Sequence, residues 1–91
     1  MRTLTLMFYE IATDGMDKAP IYYEAHVARL QAFQQRGVLL MAGPYGMPPA
    51  GALGVFTERA AADEFAREDP FVLNGVVSKV TLHDWAEALT D

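Results

Sequence analysis

Gly37-Val38-Leu39-Leu40-Met41-Ala42-Gly43-Pro44-Tyr45-Gly46-Met47-Pro48-Pro49-Ala50-Gly51-Ala52-Leu53-Gly54-Val55-Phe56-Thr57 carries no charged residue and is long enough for a membrane span of about 20 residues. Its centre argues against one. Between Gly43 and Gly51 stand three prolines and three glycines, which would leave backbone groups unpaired in hydrocarbon. The stretch reads instead as a strand, a loop and a strand. Val38 to Ala42 is a short continuous apolar run closed off by Gly37 and Gly43-Pro44, the pattern of a strand covered on both faces. Ala52 to Phe56 is the strand that follows.

Upstream, Leu4, Leu6 and Phe8 alternate with Thr3, Thr5, Met7 and Tyr9, the period of two that a pleated strand imposes. After the polar loop Thr13-Asp14-Gly15, Pro20 is placed to open a helix running to about Arg36, with Gly37 as its stop. Downstream, Thr57 is a suitable N-cap for a helix from Glu58 to Glu68, which Asp69-Pro70 ends. Val76 to Leu82 is rich in β-branched residues and forms a fourth strand reaching about His83. The short tail after Trp85 is expected to fray or to dock on a partner. The order is β-α-β-β-α-β, the ferredoxin-like α+β plan, in which both helices cover one face of a four-stranded antiparallel sheet. Met7, Tyr9, Leu39, Met41 and Phe56 keep both faces partly apolar, with Met7 and Met41 expected on the face the helices leave bare, so that a second copy packing sheet to sheet buries it and makes a homodimer.

The 91 residues correspond to one domain, spanning 1–91. Seven Lys and Arg against twelve Asp and Glu leave a net charge of −5, which repels phosphate backbones and anionic membranes. At 52% apolar and 21% charged residues, the chain is too hydrophobic to stay disordered. No cysteine is present, which removes thiolate catalysis and every Cys-based metal site. Two separated histidines make a poor metal site. Neither metal nor cofactor, nucleic acid nor membrane is expected, and without a recognisable signal peptide the location reads as cytoplasmic.

Right-handed crossovers bring the start of the first helix (Tyr22, Tyr23, His26), the Gly43–Gly51 loop and Asp69 to one end of the sheet. With Val27 at zero on a wheel of about 100° per residue, His26 falls near −100°, between Leu30 and Phe33, and so points inward. It reads either as a core or interface histidine satisfied by one hydrogen bond or as a proton-transfer group. Asp69 sits where the macrodipole disfavours a carboxylate, unless it caps a short turn with Pro70 first and Asn74-Gly75 as its stop. Tyr9, Tyr22, Tyr23 and Tyr45 are candidates to line a pocket for a planar ring, and core packing explains them equally well. Gly43-Pro44 is an ordinary turn signal without phosphate-loop spacing. His83 reads as a surface residue, and Ser78 has no base within sequence reach.

His26-Val27-Ala28-Arg29-Leu30, Gly37 through Pro44, and Asp69-Pro70-Phe71, in that order, resemble the YciI-like (YCII-related) family over nearly the whole chain. The resemblance implies a dimeric α/β-barrel of two facing ferredoxin-like sheets. It also implies a His–Asp pair, here His26 and Asp69, and a cofactor-independent lyase or isomerase in which the histidine is the base and the aspartate its partner. Many relatives carry an arginine shortly before the histidine, where this chain has Tyr22-Tyr23-Glu24-Ala25. Two functions stay open on the sequence. One is proton abstraction from a small cyclic compound, with Tyr9, Tyr22, Gly43, Pro44 and Tyr45 shaping the pocket. The other is a non-catalytic dimeric module that binds a small ligand or assists another protein.

Overall fold

The computed structural model describes residues 2–89. Seven elements follow in order: β1 (Thr3–Ile11), α1 (Gly15–Gln35), β2 (Leu39–Tyr45), β3 (Gly51–Phe56), α2 (Arg59–Glu68), α3 (Pro70–Leu73) and β4 (Val77–Ala86). The strands form one antiparallel sheet in the order β2-β3-β1-β4. This is the ferredoxin-like α+β fold read from the sequence. No helix among the described residues is long and apolar enough to cross a membrane.

Pairing sorts the side chains into two faces, because residues opposite one another in a ladder project the same way. Thr5, Met7 and Tyr9 of β1 stand in rows with Phe56, Gly54 and Ala52 of β3. Met7, Tyr9, Leu39 and Phe56 belong to the buried cluster that also holds Phe33 of α1 and Ala62 and Phe65 of α2. The expected place of Met7 on the bare face is therefore corrected: these four supply the floor on which the helices pack. Phe65 anchors that layer, its ring meeting Phe33 edge-on at 5.1 Å and Phe56 at 5.7 Å. The helix-free face is apolar through other residues. Leu6 stands opposite Val55 and Phe8 opposite Leu53, while Met41 and Trp85 are 65% and 46% exposed.

Four further boundaries differ from the sequence reading. The first helix starts at Gly15, with Pro20 inside it, because the chain turns straight off β1. The Gly15 amide donates to the Ala12 carbonyl at 2.8 Å. Pro20 removes only the bond to the carbonyl four residues earlier, a loss within the helix's second turn. The second strand runs through Gly43, Pro44 and Tyr45, which the sequence reading gave to a loop. It is an edge strand, where a residue without an amide hydrogen does not break a ladder, and beyond Leu39 it is exposed rather than covered on both faces. Thr57 does not cap α2. Its amide donates to the Val38 carbonyl at 2.9 Å, and the cap position belongs to Glu58. The fourth strand continues through Trp85 to Ala86, and the Glu87 amide then donates to Arg2 O at 2.9 Å. The last part of the tail whose fraying was expected lies outside the described residues.

Gly15 also fits where no larger residue would. A Cβ there would strike the Val76 carbonyl oxygen and approach Ile11 Cγ2 to 2.8 Å, and backbone cannot yield as a flexible side chain can. Gly15→Ala is expected to destabilise the chain by about 1–3 kcal/mol through overpacking. Urea unfolding would show this as a lower midpoint with an unchanged slope.

Candidate active site

Met16, Ala19, Tyr23, His26, Val27 and Leu30 recur at three- and four-residue spacing along α1 and form one wall of a cavity of about 490 Å³. The opposite wall is the β1–β3–β2 part of the sheet, with Ala52, Gly54 and Ala42 in the helix-facing rows. His26 sits where this wall meets the core. Its side chain is only 13% exposed, stacks on Phe71 at 3.9 Å and 7°, and meets Phe65 edge-on.

Behind the imidazole lies Asp69, with no solvent exposure. His26 Nδ1 stands 2.8 Å from Oδ1 and 3.0 Å from Oδ2. The Tyr9 hydroxyl donates to Oδ2 at 2.7 Å, and the Phe71 amide donates to Oδ1 at 3.3 Å. A carboxylate stripped of water needs such donors to be tolerated. With the carboxylate accepting at Nδ1, the neutral form of the imidazole carries its hydrogen there and its lone pair at Nε2. Nε2 has no protein partner among the described residues. A fixed lone pair at the edge of a cavity is the arrangement a general base needs.

Tyr9 acts purely as a donor. Burial, and then the charge of Asp69, push its phenol well above the ordinary range. Asp69 also caps α3, with Pro70 in the first turn and Asn74 at the end. Capping and pairing thus coincide in one side chain rather than competing for it.

Of the residues picked from the sequence, His26, Tyr9, Gly43 and Pro44 line the cavity, and Asp69 stands directly behind His26. Tyr22 and Tyr45 are not among the lining residues, a correction to the expected pocket. Tyr22 lies about 100° around the helix from Tyr23, and it is Tyr23 that faces the cavity. Tyr45 stands opposite Gly51 in the row of Glu10, on the helix-free side. Missed were Met16 and Ala19, which a helix opening at Pro20 leaves out. The stacking of Phe71 was also missed, although its place two residues after Asp69 was a usable signal. Arg29 turns away from the cavity, donating to the Glu64 and Phe65 carbonyls at 2.8 and 3.1 Å. Its guanidinium lies over the Phe33 and Phe65 rings. His83 is exposed on the helix-free face, edge-on to Phe8 at 5.7 Å. No group of three or more metal-ligating side chains occurs among the described residues.

A ferredoxin-like sheet with a buried His–Asp pair opening on a cavity beneath its first helix defines the class. The chain belongs to the YCII-related family, whose domain matches residues 1–86. Among solved structures it is similar to the 5-chloro-2-hydroxyhydroquinone dehydrochlorinase TftG from Burkholderia phenoliruptrix AC1100, in complex with 2,5-dihydroxybenzoquinone. That likeness has a TM-score of 0.76 at 17% identity, over 93% of this chain and 95% of that one. It is also similar to Rv0793 from Mycobacterium tuberculosis, with a TM-score of 0.52 at 14% identity over 97% and 96% of the two chains. An antibiotic biosynthesis monooxygenase gives 0.55 at 12% identity over 96% and 99%. At these identities the likeness is one of fold. No curated protein matches the sequence significantly.

The raised Tyr9 phenol has a measurable consequence. An unfolded chain releases this proton near pH 10 while the folded chain holds it. Stability is therefore expected to be complete below about pH 10 and to fall as pH rises beyond it. Ultraviolet phenolate absorbance of the chain, compared with that of Tyr9→Phe, should show Tyr9 ionising only together with unfolding. A separate Tyr9 step near pH 10 in the folded state would contradict the buried contact.

Proposed function

We propose that this chain is a cofactor-independent enzyme in which His26 removes a proton from a small cyclic compound, the outcome being isomerisation or elimination. The observation that supports this is Nε2, held by the Asp69 contact at Nδ1 and left without a partner on the cavity's edge. The proton moves from a substrate C–H to Nε2, and the imidazolium so formed is stabilised by the Asp69 carboxylate. The C–H electron pair forms a new π bond. In an elimination the leaving group departs with its own bonding pair, whereas in an isomerisation an existing π bond of the substrate breaks and its pair takes the proton back from the imidazolium at a different carbon. Tyr9 and Phe71 hold the carboxylate still, so Asp69 orients the base without touching the substrate. A dehydrochlorinase among the similar folds is in keeping with an elimination.

On this reading the working unit is a homodimer of single-domain chains. The helix-free face, with Leu6, Phe8, Leu53, Met41 and Trp85, offers apolar area worth about 25 cal/mol per Å² when covered, and a second copy packed sheet to sheet covers it. Light scattering at micromolar concentration should return twice the monomer mass; a monomer would refute the assembly.

Turnover of a panel of halogenated and hydroxylated cyclic compounds tests the chemistry. His26→Gln should lower kcat by about 10²–10⁴, the usual worth of a positioned general base, with the fold intact by circular dichroism. Asp69→Asn should lower kcat less. Equal turnover by the His26 variant would instead favour a ligand-binding module without catalysis.

A further inference from the structure

The cavity's walls are unusually bare of charge for a site that handles protons. None of the seven lysines and arginines lines it. All seven are engaged elsewhere: six face a carboxylate at 3.0–3.8 Å, and Arg29 is held by two carbonyls at the end of α2. Among the described residues no aspartate or glutamate lines it either, since Asp69 reaches it only through His26. An anionic group entering here would shed its water and find no lysine or arginine to meet it, a cost that an uncharged molecule avoids.

Shape adds to this. The sheet wall carries Ala42, Ala52 and Gly54 in adjoining rows. At Gly54 a Cβ would already stand 3.0 Å from the Phe56 ring and 3.6 Å from the Met7 methyl, so that stretch of floor is made by the Met7 and Phe56 side chains lying over a glycine, and both also line the space. Across from it stand Tyr23, Val27 and Leu30. The result is an apolar slot between helix and sheet of about 490 Å³, within the range of about 300–1,000 Å³ that buries drug-sized ligands and more than one small ring fills.

We infer that the site takes an uncharged, lipophilic, flat molecule of two or more fused rings, and discriminates against carboxylated or phosphorylated ones. This rests on the proposed reading of the His26 site and adds the substrate class to it. The bound ring system lies between the helix wall and the floor, with its acidic C–H edge toward Nε2.

Two fluorescent probes of equal ring size separate the classes: 2-naphthol, neutral at pH 7, and 2-naphthoate, which is anionic. Titrated into the purified protein, 2-naphthol should bind, and 2-naphthoate should bind at least about tenfold more weakly, since its charge would be buried without a lysine or arginine partner. Ala42→Phe, an exposed edge-strand position whose larger side chain enters the slot, should weaken 2-naphthol at least about tenfold with the circular dichroism unchanged. Ala19→Leu, from the helix wall, is the second variant and should act in the same direction. Equal or tighter binding of 2-naphthoate, no binding of either probe, or indifference to both substitutions would each overturn the inference. None of these outcomes bears on whether His26 moves a proton, which the turnover of His26→Gln decides separately.

Discussion

A carboxylate with no solvent exposure organises this molecule. Asp69 is reached by the hydroxyl of Tyr9 from β1, the imidazole of His26 from α1 and the amide of Phe71 from α3. Three elements that share no sequence neighbourhood are thereby fixed to one point. Removing any one donor leaves a buried acceptor short of a partner, and removing the acceptor strands two side chains that were folded around it. The network is therefore cooperative in space. It also converts a capping residue into an orienting one, because the carboxylate that starts α3 is the one that sets the imidazole's tautomer.

Much of that arrangement was legible in the chain. The helical phase of His26 depends only on its spacing from Val27, Leu30 and Phe33, and spacing survives an error in where the helix begins. Asp69-Pro70 followed by Asn74-Gly75 is a local signal, and local signals are written in adjacent residues. What escaped was set by tertiary context. Period two showed that Met7 and Phe8 point to opposite faces, but not which face the helices take, since both are apolar. Gly15 was read as loop because its reason for being glycine is the carbonyl of Val76, sixty-odd residues away in the chain. Gly43-Pro44 was read as a turn because an edge strand and a turn tolerate proline for the same reason, a missing donor that nothing awaits.

Arg29 shows how a charged residue near His26 in the chain can serve a packing purpose away from the cavity. Three positions along α1, it places a cation on the carbonyls that end α2 and a flat guanidinium on Phe33 and Phe65. Positive charge at a helix C-terminus is favourable, and the contact ties α1 to α2 beside the cavity. The His26 ring is held from the same side, by Phe65 and Phe71. These side-chain contacts tie the helices to one another beside the cavity, while the first turns of α1 stand clear of the sheet, with Met16 and Tyr23 exposed.

That difference along α1 explains why a cavity exists in so small a protein. Toward its end the helix buries Phe33 against Phe65 and Leu39, while near its start Met16 and Tyr23 remain 48% and 60% exposed over the sheet. A domain with a stability of only about 5–15 kcal/mol keeps such a gap because the other end of the helix is well packed. The small floor residues Ala42, Ala52 and Gly54 hold the gap open, since larger side chains there would close it and replace solvent with core. His26 stands at the boundary between the two halves, with one ring nitrogen in the packed interior and the other at the open space. A histidine one turn later would be sealed against Phe33, and one placed one turn earlier would lose its contact with Asp69. The position of the histidine is thus dictated by where the helix stops packing and starts to stand clear.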